Sequence, residues 1–217
     1  MGMKALLLAT LLAQSPAVPA PVPPGPVMRG DVHAVMGWQS LRDHEAVDRY
    51  NDWLNDIFYG AAGMGWYWND HLKTQVDFGA GTRGETYRFE QLIANGVPTY
   101  ESGQVRVQQT NFAIGQQYQF FRNQWFHPQV GGGLDVARRS ARSEYLPVTV
   151  FDNATRTVRI IVPGRTEENT EVIVRPFIET GFKAYMTRKA FFTSDARVLF
   201  KSGFDEVLFR FGFGLDF

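Results

Sequence analysis

The sequence predicts an all-β fold: an eight-stranded antiparallel up-and-down β-barrel that crosses a membrane with its strands. Three observations predict it. Apolar and polar residues alternate with period two in eight successive segments, as side chains do on a pleated strand. The connections between these segments run long, short, long, short, long, short, short, so that loops free to grow fall on one side and tight turns on the other. The polar face of the alternation mixes glycine with long charged side chains, whereas the opposite face is bulky and aromatic.

Composition agrees with this reading and excludes others. The 217 residues carry 22 Lys+Arg against 22 Asp+Glu, so there is no global basic field for nucleic acid. Cysteine is absent, which removes disulfides, thiolate metal sites and cysteine nucleophiles. No apolar run is long enough for a membrane helix. The 18 Phe and 21 Gly are an unusual pair for a water-soluble domain.

The elements follow in order. Residues 1–17 read as a signal peptide: Lys4, a short apolar core over Ala5–Ala13, then small residues, with cleavage expected after Ala17. Residues 18–29 form a Pro-rich linker of polyproline II character, and the barrel occupies 30–217. Its first strand places Val32, Ala34, Met36 and Trp38 on one face. The second places Met64, Trp66 and Trp68 there, and the third Thr74, Val76, Phe78 and Ala80. The fourth contributes Phe112, Ile114, Tyr118 and Phe120, and the fifth Val130, Leu134 and Val136. The sixth contributes Pro176, Ile178, Phe182 and Ala184, and the seventh Ala196, Val198 and Phe200. The eighth is the longest run, with Val207, Phe209, Phe211, Phe213, Leu215 and Phe217 on one face. Long connections are expected at 42–56, 90–103 and 143–170. The last is expected to extend the flanking strands as a hairpin turning at Asp152–Ala154.

The contents of the two faces decide which lies inside. Glycine weakens a strand and has no use on a solvated surface, but in a narrow barrel small and large side chains must share a tight lumen. The polar face is therefore assigned to the lumen and the aromatic face to lipid. The candidate lumen charges are Lys73, Asp77, Arg83, Asp135, Arg139, Glu179, Lys183, Asp195, Arg197 and Arg210. They are expected to neutralise one another as an internal salt-bridge network, because buried charges need partners. Trp38, Trp66, Trp68, Tyr118, Phe126 and Phe182 are the candidate interfacial aromatics. Because open sheet edges are not tolerated in hydrocarbon, the first and eighth strands are expected to pair.

The terminal FRFGFGLDF, with WFHPQVGGGLDV at 125–136 and RPFIETGFKAYMTRKAFFTSDARVLF at 175–200, resembles the small outer-membrane barrels of the OmpA, OmpX and OmpW type. The resemblance implies an outer-membrane location after export through the periplasm. It also implies that Phe209, Phe211, Phe213, Leu215 and Phe217 form the assembly signal read by the barrel-assembly machinery. No cofactor and no metal are expected, nor the peptidoglycan-binding domain that follows the barrel in some relatives. Outer-membrane lipids and lipopolysaccharide are the expected surroundings of a monomer, with an extracellular partner for the 143–170 loop as a further expectation. The function expected is a structural and interfacial scaffold with a plugged lumen. Two alternatives stand beside it: a narrow porin-like channel for small solutes or ions, and a lipid A-modifying enzyme. The four histidines, His33, His44, His71 and His127, supply no Ser–His–acid grouping at a recognisable spacing, so no catalytic residue is expected.

Overall fold

The computed structural model describes residues 29–42, 53–94, 96–120, 125–153 and 155–217. The predicted signal peptide, most of the linker and His44 lie outside them. The described residues form β1 (Gly30–Arg42), β2 (Trp53–Tyr67), β3 (Leu72–Gly81), β4 (Gly84–Ala94), β5 (Val97–Gln119) and β6 (Phe126–Tyr145). The chain continues through β7 (Val148–Asp152), β8 (Thr157–Val162), β9 (Arg165–Tyr185), β10 (Ala190–Phe200) and β11 (Phe204–Asp216). No helix among them is long and apolar enough to cross a membrane.

Nine of these strands make one sheet that closes on itself, running β3-β2-β1-β11-β10-β9-β6-β5-β4 with β3 also paired to β5. All pairs are antiparallel. Closure runs from Asp31↔Asp216 to Leu41↔Glu206, so the first and last strands pair as expected. β3 and β4 both pair with β5, over Thr110–Tyr118 and Val97–Val107 respectively. They are therefore two halves of a single barrel strand, broken at Thr82–Arg83, and the barrel has eight staves. Thr82 stitches the break to β2: its amide donates to the Phe58 carbonyl at 2.8 Å and its hydroxyl accepts from the Phe58 amide at 3.0 Å.

The barrel is lopsided. β5, β6 and β9 have 23, 20 and 21 residues, against 10 for β3 and 11 for β10. A tilted strand needs only about 9–11 residues to cross the hydrocarbon, so the first three run well past it at one end. The connections of 68–71, 120–125 and 186–189 mark the opposite, short-turn end, where the barrel's Gly30 and Phe217 also lie.

This architecture corrects the expected loop at 90–103 and the end of the one at 42–56. Residues 90–103 are not a loop: β4 and β5 stay paired to Ala94↔Val97, and Gly96 in the intervening dipeptide has φ +80°, a conformation glycine adopts without steric cost. Likewise 53–56 belong to β2. The 143–170 segment extends its flanking strands as expected, β6 and β9 pairing to Tyr145↔Arg165. The rest of that segment is the expected hairpin: β7 and β8 make a separate two-stranded sheet closing at Asp152↔Thr157.

Candidate functional site: the filled lumen

The burial of this chain is inverted relative to a water-soluble domain. Met64, Phe78 and Val174 on the outer wall are more than 60% exposed, whereas Arg175 and Arg197 are at most 1% exposed. Arginine is almost never fully buried without partners. The strand pleat explains the sorting, since one parity faces out and the other in.

The inward side chains are stacked in five layers. The first, at the short-turn end, is centred on Lys183 (β9). Its Nζ donates to Asp31 Oδ2 at 2.9 Å, to Asp216 Oδ1 at 2.7 Å and to the Tyr67 hydroxyl at 2.7 Å, which uses all three ammonium donors. Lys73 donates to the same Asp31 oxygen at 3.1 Å, and the Tyr185 hydroxyl donates to Asp216. The ammonium of Lys183 also lies 3.6 Å from the centroid of the Phe191 ring, a cation–π contact.

The second layer holds two guanidinium groups among three carboxylates. Arg197 Nη2 donates to Asp77 Oδ2 at 2.5 Å and to Glu179 Oε2 at 2.8 Å. Arg210 donates to Asp195 at 2.7 Å, to Asp77 at 3.1 Å and to Glu179 at 3.3 Å. His33 Nε2 lies 2.9 Å from Asp77 Oδ1. This layer needs glycine: a Cβ at Gly63 would overlap the Asp77 carboxylate.

The third layer is apolar, built from Tyr59, Ala113, Phe177, Leu199 and Leu208. Arg197 stacks over the Phe177 ring at 4.2 Å. The fourth is polar again. Arg175 donates to Asp135 at 2.9 Å and to Asp205, and pairs with Glu206 at 2.8 Å. Arg139 donates to Asp205 at 3.2 Å, and Gln39 and Gln109 donate to the two oxygens of Glu206 at 2.7 and 2.8 Å. The fifth layer is the apolar cluster Leu41, Leu54, Ile57, Val105 and Val107, with Ala141 packed against it. It caps the stack toward the long-strand end.

The placement of each sequence-derived residue follows. Lys73 is in the first layer, Asp77, Glu179, Asp195, Arg197 and Arg210 are in the second, and Asp135 and Arg139 are in the fourth, with Lys183 at the centre of the first. They form two charge groups rather than one network: the apolar third layer divides the second layer from the fourth, while His33, 3.7 Å from Asp31 and 2.9 Å from Asp77, bridges the first and second. Arg83 is not in the lumen. At the β3–β4 break the parity slips, so Gly81 and Gly84 both point inward while Thr82 and Arg83 are both exposed. The charged residues of these layers missing from the expected set are Asp31, Arg175, Asp205, Glu206 and Asp216, and Glu101 is buried on the same inward parity of β5 beyond the fifth layer. Arg175 was signalled by parity, two pleats beyond Glu179; Asp205 and Glu206 were masked by the Ser202–Gly203 turn that precedes them. With these included, the three polar layers hold eight acidic and six basic side chains besides His33.

On the outer wall, Trp38, Trp66, Trp68, Tyr118 and Phe126 are exposed and Phe182 is half-exposed. Phe126 and Phe182 have ring centroids 5.1 Å apart, as do Tyr118 and Phe120. All but Trp38 lie toward the short-turn end. Phe209, Phe211, Phe213, Leu215 and Phe217 share this outer face on the closing strand, with Phe217 turned back on β1 through its amide, 2.9 Å from the Gly30 carbonyl. Of the histidines, His71 makes a 2.9 Å hydrogen bond with the Gln119 carbonyl and stacks on Tyr118, and His127 lies 5.2 Å from the Tyr185 ring. Among the described residues no group of acidic and histidine side chains could hold a metal ion.

No protein-family model and no curated protein matches the chain. Solved structures do. The chain is similar to Neisserial surface protein A, with 12% identity over 87% of this chain and 97% of that one and a TM-score of 0.54. It is also similar to the N-terminal β-barrel domain of Pseudomonas aeruginosa OprF, with 12% identity over 88% and 98% of the two chains and a TM-score of 0.50. The fold is that of the small eight-stranded outer-membrane barrels, and the inverted burial supplies the lipid-facing surface that such a barrel requires.

Proposed function

We propose that the chain is a monomeric outer-membrane scaffold: a lipid-embedded barrel with a sealed lumen that lifts two hairpins, β4–β5 and β7–β8, away from the outer surface. The observation that carries this reading is the filled interior. A lumen void lined by His33, Lys73, Gln75, Lys183 and Asp195 measures about 10 Å³, room for about one water. One apolar layer divides the interior charges and a second closes the long-strand end, and a chain of water that could carry ions has no place to form across them.

The orientation follows from the turn asymmetry, with the short-turn end in the periplasm and the long-strand end outside. The C-terminal aromatic series on β11 then lies on lipid, where an assembly factor could read it before β1 closes the sheet. The reading is tested by refolding the chain into neutral-detergent micelles and into phosphatidylcholine vesicles. It expects faster electrophoretic migration for unboiled than for boiled samples, and flotation with the vesicles. Identical migration together with sedimentation away from lipid would refute it.

A further inference from the structure

The break in the third stave leaves a groove on the outside of the wall that the sealed lumen does not use. Because β3 ends at Gly81 and β4 begins at Gly84, β5 has no ladder partner on that side between Val107 and Thr110. A depression of about 230 Å³ opens there, lined by Arg83, Arg106, Gln108, Ser140, Arg142 and Glu168. Gln108 and Ser140 face each other across the β5–β6 ladder. They stand two outward positions above Phe112 and Val136, which belong to the exposed apolar wall. The groove therefore sits at headgroup height, immediately above the hydrocarbon.

Three arginines and three carboxylates line or flank it, so it is near neutral as a whole, but the carboxylates all sit against Arg106 and Arg142 and leave Arg83 unpaired among the described residues. Arg106 pairs with Glu85 at 3.0 Å and Glu144 at 3.4 Å, and Arg142 pairs with Glu144 at 2.9 Å and Glu168 at 3.4 Å. These carboxylates hold the two guanidinium groups side by side across the Arg106↔Arg142 register pair. Arg83, exposed at the rim, makes no ion pair among the described residues. Guanidinium groups with free donors match phosphate oxygens in bidentate geometry. We propose that this groove binds a phosphate group carried by an outer-leaflet lipid headgroup, with Arg83 and Arg142 as its principal donors and Gln108 and Ser140 as neutral ones. The proposal rests on the membrane-embedded reading for the source of the phosphate, not for the existence of the site. A soluble protein would have no reason to place such a groove in register with the edge of an apolar belt.

The test titrates the folded full-length chain in neutral detergent with diphosphoryl lipid A, with its dephosphorylated counterpart and with inorganic phosphate. The proposal expects lipid A to bind, and both removal of its phosphates and the R83Q/R142Q double variant to weaken binding by roughly tenfold or more, as loss of hydrogen bonds to charged groups does. Both side chains are on the outer wall, so heat-modifiable migration should persist in the variant. E168Q removes an acid from the groove and is expected to tighten lipid A binding. Equal affinity for the two lipids, or indifference to all of these substitutions, would overturn the proposal. Inorganic phosphate competing at the same concentration as lipid A would assign the groove to a free anion and overturn the lipid source. Failure of flotation with intact phosphate affinity would fault the membrane reading and leave the groove standing.

Discussion

At the scale of single residues, the lumen charges are withdrawn from bulk water and must satisfy one another. Asp77 receives Arg197, Arg210 and His33 at once, and Glu179 shares both guanidinium groups. Removing one member leaves an uncompensated charge, which costs about 3–5 kcal/mol in a buried pair. Arg197→Met is therefore expected to lower unfolding stability by about that amount, measured by urea titration in lipid vesicles, and a change near zero would mean that the layer is hydrated. Glycine is the other residue-scale device. A Cβ at Gly79 would overlap the Tyr59 hydroxyl, which donates to Asn111 at 3.0 Å. Gly79→Val is expected to block refolding, while Gly60→Val, where a Cβ meets nothing within 4 Å, is expected to refold normally. Both are read from heat-modifiable migration.

At the scale of elements, the outer parts of the molecule divide into one that belongs to the barrel and one that does not. β7 and β8 pair only with each other in their own sheet, so deleting 147–163 is expected to leave migration and vesicle insertion unchanged. Misfolding of that deletion would show that the hairpin is part of the barrel's folding unit. The β4–β5 hairpin is continuous with the wall, and its tip depends on Gly96 at φ +80°. The strands were legible from alternation because one face meets lipid and the other the lumen, giving each residue one of two unlike environments. The long-strand end was less legible for a physical reason. Toward the long-strand end charged residues fall on both faces, as Glu85 and Arg88 do on β4, and the start of β9, with Glu167 and Glu168, is exposed on both faces, so the alternation of polar and apolar residues fades. The Asn95–Gly96 dipeptide between Ala94 and Val97 was the remaining hairpin signal there. Arg83 was misplaced because the alternation was extended through a break that shifts it by one residue, which moves a side chain to the opposite face.

At the scale of the whole molecule, the inward and outward faces make one argument. The Phe excess covers the wall, the Gly excess makes room inside, and the overall charge balance conceals a lumen with two more acids than bases. That surplus sets the sign of what an opened barrel would do. A variant with Lys183→Ala, Arg197→Ala and Arg175→Ala keeps all eight lumen acids and is expected, if it inserts, to pass cations in preference to anions, read from its reversal potential under a salt gradient. Anion preference would mean that the acids do not line the path. Five packed layers seal the native lumen, and planar-bilayer recording of the folded wild-type chain measures that seal. A silent membrane is expected at protein loads where flotation confirms insertion; reproducible unitary conductance steps from the wild-type protein would overturn the sealed lumen.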